Sequence, residues 1–293
     1  MNMTKPKISV IINTFNEERN IRNCLETVKW ADEIVVVDMY SDDKTVEIAK
    51  EYTDKIYFFE RIGYVEPARQ YALEKAKNEW VLVVDADEII PLKLKNKLVE
   101  IMEKDLADVV YIPFNTYFFG RLIKGTGWGP LQEVHPRFFK KSFVSFSSAV
   151  HSFFNISDKA RVFYITDPEY GFIHFAYIDV EHFLEKLNRY TTIEAKNMHD
   201  GIKPVPTLPN FLIKLIKEFF GRFIKKKGYA DGIYGFSLSI LMVAYHVSGF
   251  LKYKIMKEYN SKEPREKIIS KYNEIAKKII EEYKYEKKEG YFK

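Results

Sequence analysis

Trp80-Val81-Leu82-Val83-Val84 is an apolar run that stops abruptly at Asp85-Ala86-Asp87-Glu88. A strand that ends in acids delivers charge to the carboxyl edge of a sheet, where open α/β sheets bind their ligands. Two carboxylates one residue apart can share a hard divalent cation, and that cation can grip a diphosphate. Asp-x-Asp alone is common on surface loops. Its weight here comes from two upstream units that end at the same edge.

In the first unit Ile8-Ser9-Val10-Ile11-Ile12 breaks at Asn13, and Thr14-Phe15-Asn16-Glu17-Glu18 leads into a helix with Ile21, Leu25 and Val28 at helical spacing. In the second, Glu33-Ile34-Val35-Val36-Val37-Asp38 is followed by Ser41-Asp42-Asp43-Lys44-Thr45 and a helix carrying Val46, Ile48, Ala49 and Tyr52. Near-continuous β-branched runs suit parallel strands buried on both faces. The expected fold is therefore α/β: a Rossmann-like, mostly parallel sheet flanked by helices. Thr14/Asn16, Asp38 and Asp85/Asp87 would gather at one edge of it.

The chain has 293 residues, 46% apolar, enough for a sizeable core in one large domain or two. The polar start and the short 8–12 run do not form a signal-peptide core, which points to the cytoplasm. Cys24, the single cysteine, excludes an intramolecular disulfide and suits an inert buried thiol. Charge is uneven. Residues 201–293 hold 20 Lys/Arg against 10 Asp/Glu, a balance of +10 in a chain of net +5, so residues 1–200 carry −5. An acidic catalytic half and a basic tail suggest different partners for each. Neither an internal repeat, nor zinc-type Cys/His spacing, nor a P-loop is visible. The basic residues accompany helices rather than an aromatic strand platform, which argues against nucleic acid as a partner.

Residues 1–115 read as an α/β half, which the resemblance given below makes the nucleotide-sugar half, with strand candidates at 8–12, 34–37, 55–59, 80–84 and 109–113. Residues 116–200 are aromatic and glycine-rich, with short strands expected between 143 and 164 and a helix over 180–198; the same resemblance makes them the acceptor side. Residues 201–293 form a basic helical C-terminal region. Within it 211–227 is apolar with Lys/Arg supplying most polar positions, the composition of a helix lying on an anionic membrane surface. The apolar 235–251 is slightly short for a span and is expected to be buried or interfacial. The 259–293 stretch alternates acids and bases like a solvated helix.

Thr14-Phe15-Asn16-Glu17, Val36-Val37-Asp38 with Ser41-Asp42-Asp43-Lys44-Thr45, Gly63-Tyr64 with Ala68-Arg69-Gln70-Tyr71-Ala72, and Asp85-Ala86-Asp87-Glu88 together resemble the family-2 glycosyltransferases. Those enzymes have the A-type nucleotide-sugar (GT-A) fold. Gly127-Trp128, Arg137-Phe138-Phe139-Lys140, Val150-His151, Leu187-Asn188-Arg189-Tyr190 and Lys227-Gly228-Tyr229-Ala230-Asp231-Gly232 more loosely resemble the lipopolysaccharide-core glucosyltransferase branch.

The resemblance implies an inverting transfer of a hexose from a UDP-sugar, with Mg²⁺ or Mn²⁺, to a hydroxyl of a glycan or lipid-linked acceptor at the inner membrane face. It makes Asp87 the direct metal ligand. Asp85 would touch the ribose or the metal, and Asp38 the uracil ring. Thr14, Asn16 and Glu17 would bracket base or ribose. A guanidinium at Arg69 suits a phosphate. The base is expected beyond the metal motif. The branch usually has an Asp after Trp-x-Pro, where this chain has Leu131, and the loop before Arg137 is about two residues longer. Glu133 is the candidate in its place and His135 the second. His151 is the candidate for the late histidine that binds pyrophosphate or metal, although Ser152 replaces the usual Glu. Met39-Tyr40 replaces the usual Ser-Gly. Trp128, Tyr117, Phe118 and Phe119 are either a sugar-stacking wall or core, and Arg137 and Lys140 meet either an anionic acceptor or nearby acids.

Three rivals stand beside this reading. A nucleotidyltransferase would show a glycine-rich phosphate loop, which Asn13-Thr14-Phe15-Asn16 lacks. A polyprenyl-phosphate sugar transferase of the same fold would need no general base and would favour cations at the acceptor side. A non-catalytic nucleotide-sugar-binding module would not need Asp85 and Asp87 intact.

Overall fold

The computed structural model describes residues 6–60, 66–146 and 154–288. The three acid-ending runs are parallel neighbours in one sheet. In chain order the first half contains β1 (Ile8–Thr14), α1 (Ile21–Val28), β2 (Glu33–Asp38), α2 (Thr45–Ala49), β3 (Ile56–Phe58), α3 (Glu66–Lys75), β4 (Trp80–Asp85), β5 (Glu88–Ile89) and α4 (Leu92–Glu103). Then come β6 (Val109–Phe118), β7 (Arg121–Leu122), β8 (Val134–Lys140), β9 (Val144–Ser145), β10 (Asn155–Ile156), β11 (Val162–Tyr164) and β12 (Phe172–Tyr177). The helices α5 (Val180–His199), α6 (Leu208–Phe220), α7 (Ile233–Glu258) and α8 (Arg265–Lys288) complete the chain.

The main sheet runs β3-β2-β1-β4-β8-β6-β12-β5, with β7 and β11 also paired to β6. Its first four strands are parallel; β1, β2 and β4 are apolar runs buried on both faces, while the edge strand β3 is only partly buried. β8 then runs antiparallel between β4 and β6. One face packs Ile12, Val36, Leu82 and Val84 against Ile21, Leu25, Leu94 and Leu98 of α1 and α4. The other packs Ile11, Val35, Val37, Val81 and Val83 against Ala68, Ala72 and Leu73 of α3, where alanines let the helix lie close.

The chain divides into two compact units, residues 1–183 with 220–239 and residues 184–219 with 240–293. The divisions read from the sequence, at 115 and 200, fall elsewhere. β6 continues to Phe118, so the aromatic stretch begins inside a sheet strand. In the first unit, residues 220–239 fold onto the loop after β7. Asp231 accepts the backbone N–H of Lys124 and of Gly125, both at 2.8 Å. Arg222 donates to the Thr126 carbonyl at 2.7 Å and lies 4.4 Å over the Trp128 ring. Gly125 has no room for a Cβ, which would stand 2.3 Å from the Lys227 carbonyl oxygen.

The second unit is helical. Ala195 and Met198 pack with Tyr253 and Met256, Phe211 stacks on Phe250 at 4.2 Å, and Lys252 reaches Asn188, Thr191 and Thr192. The apolar helix expected over 235–251 is longer than the composition suggested. α7 spans 26 residues and is, among the described residues, long and apolar enough to cross a membrane. Its serines and His246 broke the apolar run in sequence without breaking the helix.

Candidate active site

Register sets the site. Thr14 lies beside Asp38, and Asn13 beside Asp85, so the ends of β1, β2 and β4 form one edge. The loops that follow are tied to each other. Asn16, in the left-handed region at φ 53°, donates its backbone N–H to Ser41 Oγ at 2.8 Å and its side-chain amide to Asp42 at 2.7 Å. Glu17 and Glu18 donate backbone N–H groups to Thr45 and Asp43. The Ser41–Thr45 motif thus serves as a latch between loops. Asn16 has its amide engaged in that latch, and the Glu17 carboxylate accepts from Asn20 at 2.8 Å. Asp38 is wholly buried and takes the Ser41 N–H at 2.7 Å and hydroxyl at 2.6 Å, one on each oxygen.

Asp85 lies between two guanidiniums. Arg69 Nη2 reaches its oxygens at 2.9 and 2.7 Å, and Arg137 Nη2 reaches Oδ2 at 2.9 Å. Arg137 also donates to Glu88 at 2.8 Å, and Glu88 accepts the Asp85 N–H at 2.8 Å. Burial alone would raise Asp85, but Arg137 and Arg69 outweigh it and hold the carboxyl well below the usual carboxylate range. Burial pushes Glu88 up to about 8, with Asp85 and Asp87 adding to the rise against the pull of Arg137. Arg69 was expected at a phosphate. Here its Nη2 is held by Asp85, while its Nε is buried without a partner.

Asp87 faces a residue that no motif marked. His174 Nε2 is 3.6 Å from Asp87 Oδ2. The pairing follows from β5, which returns after the acids and joins β12 with Glu88 opposite His174; Phe175 also donates its N–H to the Asp87 carbonyl at 3.0 Å. Burial opposes charge on the ring, yet Asp87, Glu88 and Glu133 raise His174 to about 9, so the pair is ionic at neutral pH.

Across the corner, Glu133 accepts from the Thr116 hydroxyl at 3.1 Å and lies 3.4 Å from His135 Nε2. Thr116 is the register partner of His174. Burial would raise Glu133, but His135 and His174 bring it below its ordinary value, so it is ionised at neutral pH. Phe114 meets both histidine rings edge-on, and the Arg137 guanidinium lies 5.3 Å from its centre. The structure thus brings Asp85, Asp87, Arg69 and Glu133 to one corner with Thr14 and Asp38 along the same edge. The His151 candidate lies outside the described residues. Cys24 is fully buried and its thiol is pushed up, chiefly by burial, in keeping with an inert core side chain. Phe118 is core, and Arg137 and Lys140 both pair with acids.

Comparison with known proteins matches this architecture to a family. The family model for glycosyl transferase family 2 covers residues 9–157. An uncharacterized glycosyltransferase of Rickettsia conorii is 28% identical over 252 residues, covering 80% of this chain and 85% of that protein. A second, from Rickettsia typhi, is 29% identical over 252 residues, covering 80% and 82%. Among solved structures, residues 1–349 of TarS from Staphylococcus aureus align over 87% of this chain and 91% of that one, at 17% identity and a TM-score of 0.46. Residues 9–157, just over half of its length, fall under the family model, and this chain belongs to glycosyl transferase family 2.

Proposed function

We propose that this glycosyltransferase moves a hexose from a UDP-sugar to a hydroxyl of a glycan or lipid-linked acceptor, with inversion. The observation that carries the reading is the corner in which Asp87 faces His174 while Glu133 is held by Thr116 and His135. On this reading Glu133 takes the proton of the acceptor hydroxyl. Thr116 and His135 aim its two oxygens, and its ionised state leaves it ready to accept. Asp38 accepts from the uracil ring N–H. Ser41 uses one lone pair on each of its oxygens, and each oxygen has two.

Mg²⁺ or Mn²⁺ fits the residues present. Asp87 offers a carboxylate oxygen at the strand edge, and His174 beside it would add an imidazole nitrogen on giving up its proton. No group of three or more such ligands is assembled among the described residues. An ion here would complete its shell with diphosphate oxygens and water, as Mg²⁺ commonly does. Asp85, the other expected ligand, is instead neutralised by Arg69 and Arg137. Held at Asp87, such an ion would supply positive charge to the departing diphosphate.

A phosphate-bearing acceptor, as in a polyprenyl-phosphate sugar transferase, is the second reading. It is favoured by Arg222 and Lys226, whose side chains border Gly127 on the acceptor-side loop. On this reading the enzyme works in the cytoplasm, peripheral on the inner membrane face. Support comes from α6, where Leu208, Leu212 and Ile216 recur every four residues and are at least half exposed beside Lys217, and from the long apolar α7.

The test is UDP release over a panel of UDP-sugars with Mn²⁺ or EDTA. The wild type is expected to turn over one donor only with metal, and Asp87→Ala to release none. Folded wild-type protein that neither binds nor hydrolyses any UDP-sugar would sink the reading.

A further inference from the structure

We infer that Asp231 is a positioning residue for glycosyl transfer, acting on Glu133 through the loop 124–132; this rests on the reading above, with Glu133 as the base. After β6 the chain returns as one antiparallel strand cut in two. Phe118 pairs with Arg121 and Tyr117 with Leu122 in β7, and the Ile123 N–H bonds to the Thr116 carbonyl at 2.9 Å. The Glu133 carbonyl then accepts the Phe114 N–H at 3.1 Å, and Val134 pairs with Pro113 in β8. Residues 124–132 leave the strand between those two points, and Glu133 is the first residue back. Bulges, the small form of such an excursion, re-aim side chains beside active sites.

Much of the excursion's shape is imposed from outside. Thr126 and Leu131 stand in the left-handed region at φ 60° and 64°, which costs any side chain and a β-branched one most. The segment 222–231 holds them there. Asp231 gives one oxygen to the Lys124 N–H and the other to the Gly125 N–H, both at 2.8 Å, from 107 and 106 positions further along the chain. Thr126 is wholly buried; its N–H donates to the Lys226 carbonyl at 2.9 Å, and its carbonyl accepts from Arg222 Nη1 at 2.7 Å. Gln132, the residue before Glu133, accepts the Gly127 N–H at 2.9 Å and donates its amide to the same Lys226 carbonyl at 3.1 Å. Gly228 lies so close that a Cβ there would stand 2.9 Å from the Arg222 carbonyl oxygen and from Thr126 Cγ2.

The Lys227-Gly228-Tyr229-Ala230-Asp231-Gly232 stretch, to which the reaction itself assigns no role, thereby acquires one. Asp231 is the anionic end of the clamp. Its charge-assisted bonds to two successive N–H groups are stronger than neutral ones, and they fix the direction in which the loop leaves β7. Gln132 hands that constraint to the Glu133 backbone, while Thr116 and His135 set the Glu133 carboxylate from the other side. A general base must stand within hydrogen-bond reach of the proton it takes, and a misplacement of about 1 Å costs on the order of a hundredfold. A plain surface turn between β7 and β8 would need neither the remote clamp nor a buried threonine at positive φ.

UDP affinity, and kcat and KM for hydrolysis of the UDP-sugar that wild type turns over, are measured with Mn²⁺ and with water as the acceptor. The proteins are wild type, Asp231→Asn, Asp231→Ala, Glu133→Gln and the Asp231→Ala/Glu133→Gln double variant, each with a thermal melt. Asp231→Ala is expected to lower kcat about tenfold while UDP affinity and KM hold. Asp231→Asn, which keeps one acceptor oxygen, should fall between it and wild type. In the Glu133→Gln background the loss should vanish, because the group being positioned is gone. A folded Asp231→Ala with wild-type kcat would overturn the inference, and so would a loss of equal size with and without Glu133. A fall in UDP affinity would overturn it too, by moving the effect to the donor side. If Asp231→Ala does not fold, Asp231→Asn carries the same comparisons, and its failure to fold would reduce Asp231 to a residue of the fold alone. Folded wild type that releases no UDP would instead overturn the donor reading, and a Glu133→Gln protein as active as wild type the reading of the base.

Discussion

The two ends of the central sheet both bury polar groups, more of them at the carboxyl end, and treat them oppositely. At the amino edge, Glu33 accepts the Ser9 hydroxyl at 2.5 Å, the Lys77 N–H at 2.7 Å and Lys55 at 2.5 Å. Asp108, before β6, is bound by Arg161 at 2.9 Å and Lys140 at 2.7 Å. Both of these buried carboxylates have their counter-charges. At the carboxyl edge, Asn13, Thr14, Arg69, Arg137 and His174 each keep a buried polar atom with no partner. Unpaired buried groups lower stability. Where one edge tolerates several and the other does not, the tolerant edge is the one shaped for a ligand.

Four experiments press on that contrast. Arg137→Met should have the largest effect, about 3–5 kcal/mol lost in denaturant unfolding, because Asp85 would be left with Arg69 alone and Glu88 would lose its guanidinium. Arg137→Lys should recover only part of it, since an ammonium is more strongly hydrated than a guanidinium and buries less readily. Asp87→Ala should leave the fold intact and cut UDP-sugar turnover about a thousandfold, roughly 4 kcal/mol of transition-state stabilisation. Glu133→Gln should lower kcat by about a hundredfold with UDP binding unchanged, which steady-state kinetics and calorimetry together would check. A loss of UDP binding would move Glu133 to the donor side.

The smallest effect belongs to the amino edge. Burial would raise Glu33, but Lys55, Ser9 and the Lys77 N–H bring it below its ordinary value. A depressed carboxylate stabilises the fold above its unfolded value, about 4.3, and that contribution drains as pH falls through the folded value. Melts of wild type and Glu33→Gln should therefore differ near pH 7 and converge as pH falls through the lowered folded value. A gap that does not narrow on acidification would show that packing, not charge, holds this edge. Turnover at pH 7 should be nearly equal in the two proteins.

The donor side was legible because its signals are local. Each doubly buried parallel strand is a β-branched run, and each acid sits at the residue where the run stops. Asp38, Asp85 and Asp87 could be placed from spacing alone. His174 could not. It lies in Gly171-Phe172-Ile173-His174, which follows no motif, and it reaches Asp87 only through two residue pairs between β5 and β12. The one available signal was a histidine at the end of an apolar run in the acceptor half. Asn13 was passed over for a similar reason: an asparagine at a strand end looks like a loop residue until its burial is known. Arg137 was left between an anionic acceptor and nearby acids, and the antiparallel placement of β8 against β4 decided for the acids. Asn16 was read as a ligand contact because loop-to-loop latching leaves no pattern in one sequence.

The most direct test is a thermal shift with UDP and Mn²⁺ on wild type, Asp87→Ala and Glu33→Gln. If the carboxyl edge is the donor site and the amino edge is structural, ligand should raise the melting temperature of wild type and of Glu33→Gln by the same amount, from different baselines, and leave Asp87→Ala unmoved. Folded wild type with no shift, or an undiminished shift in Asp87→Ala, would contradict the account.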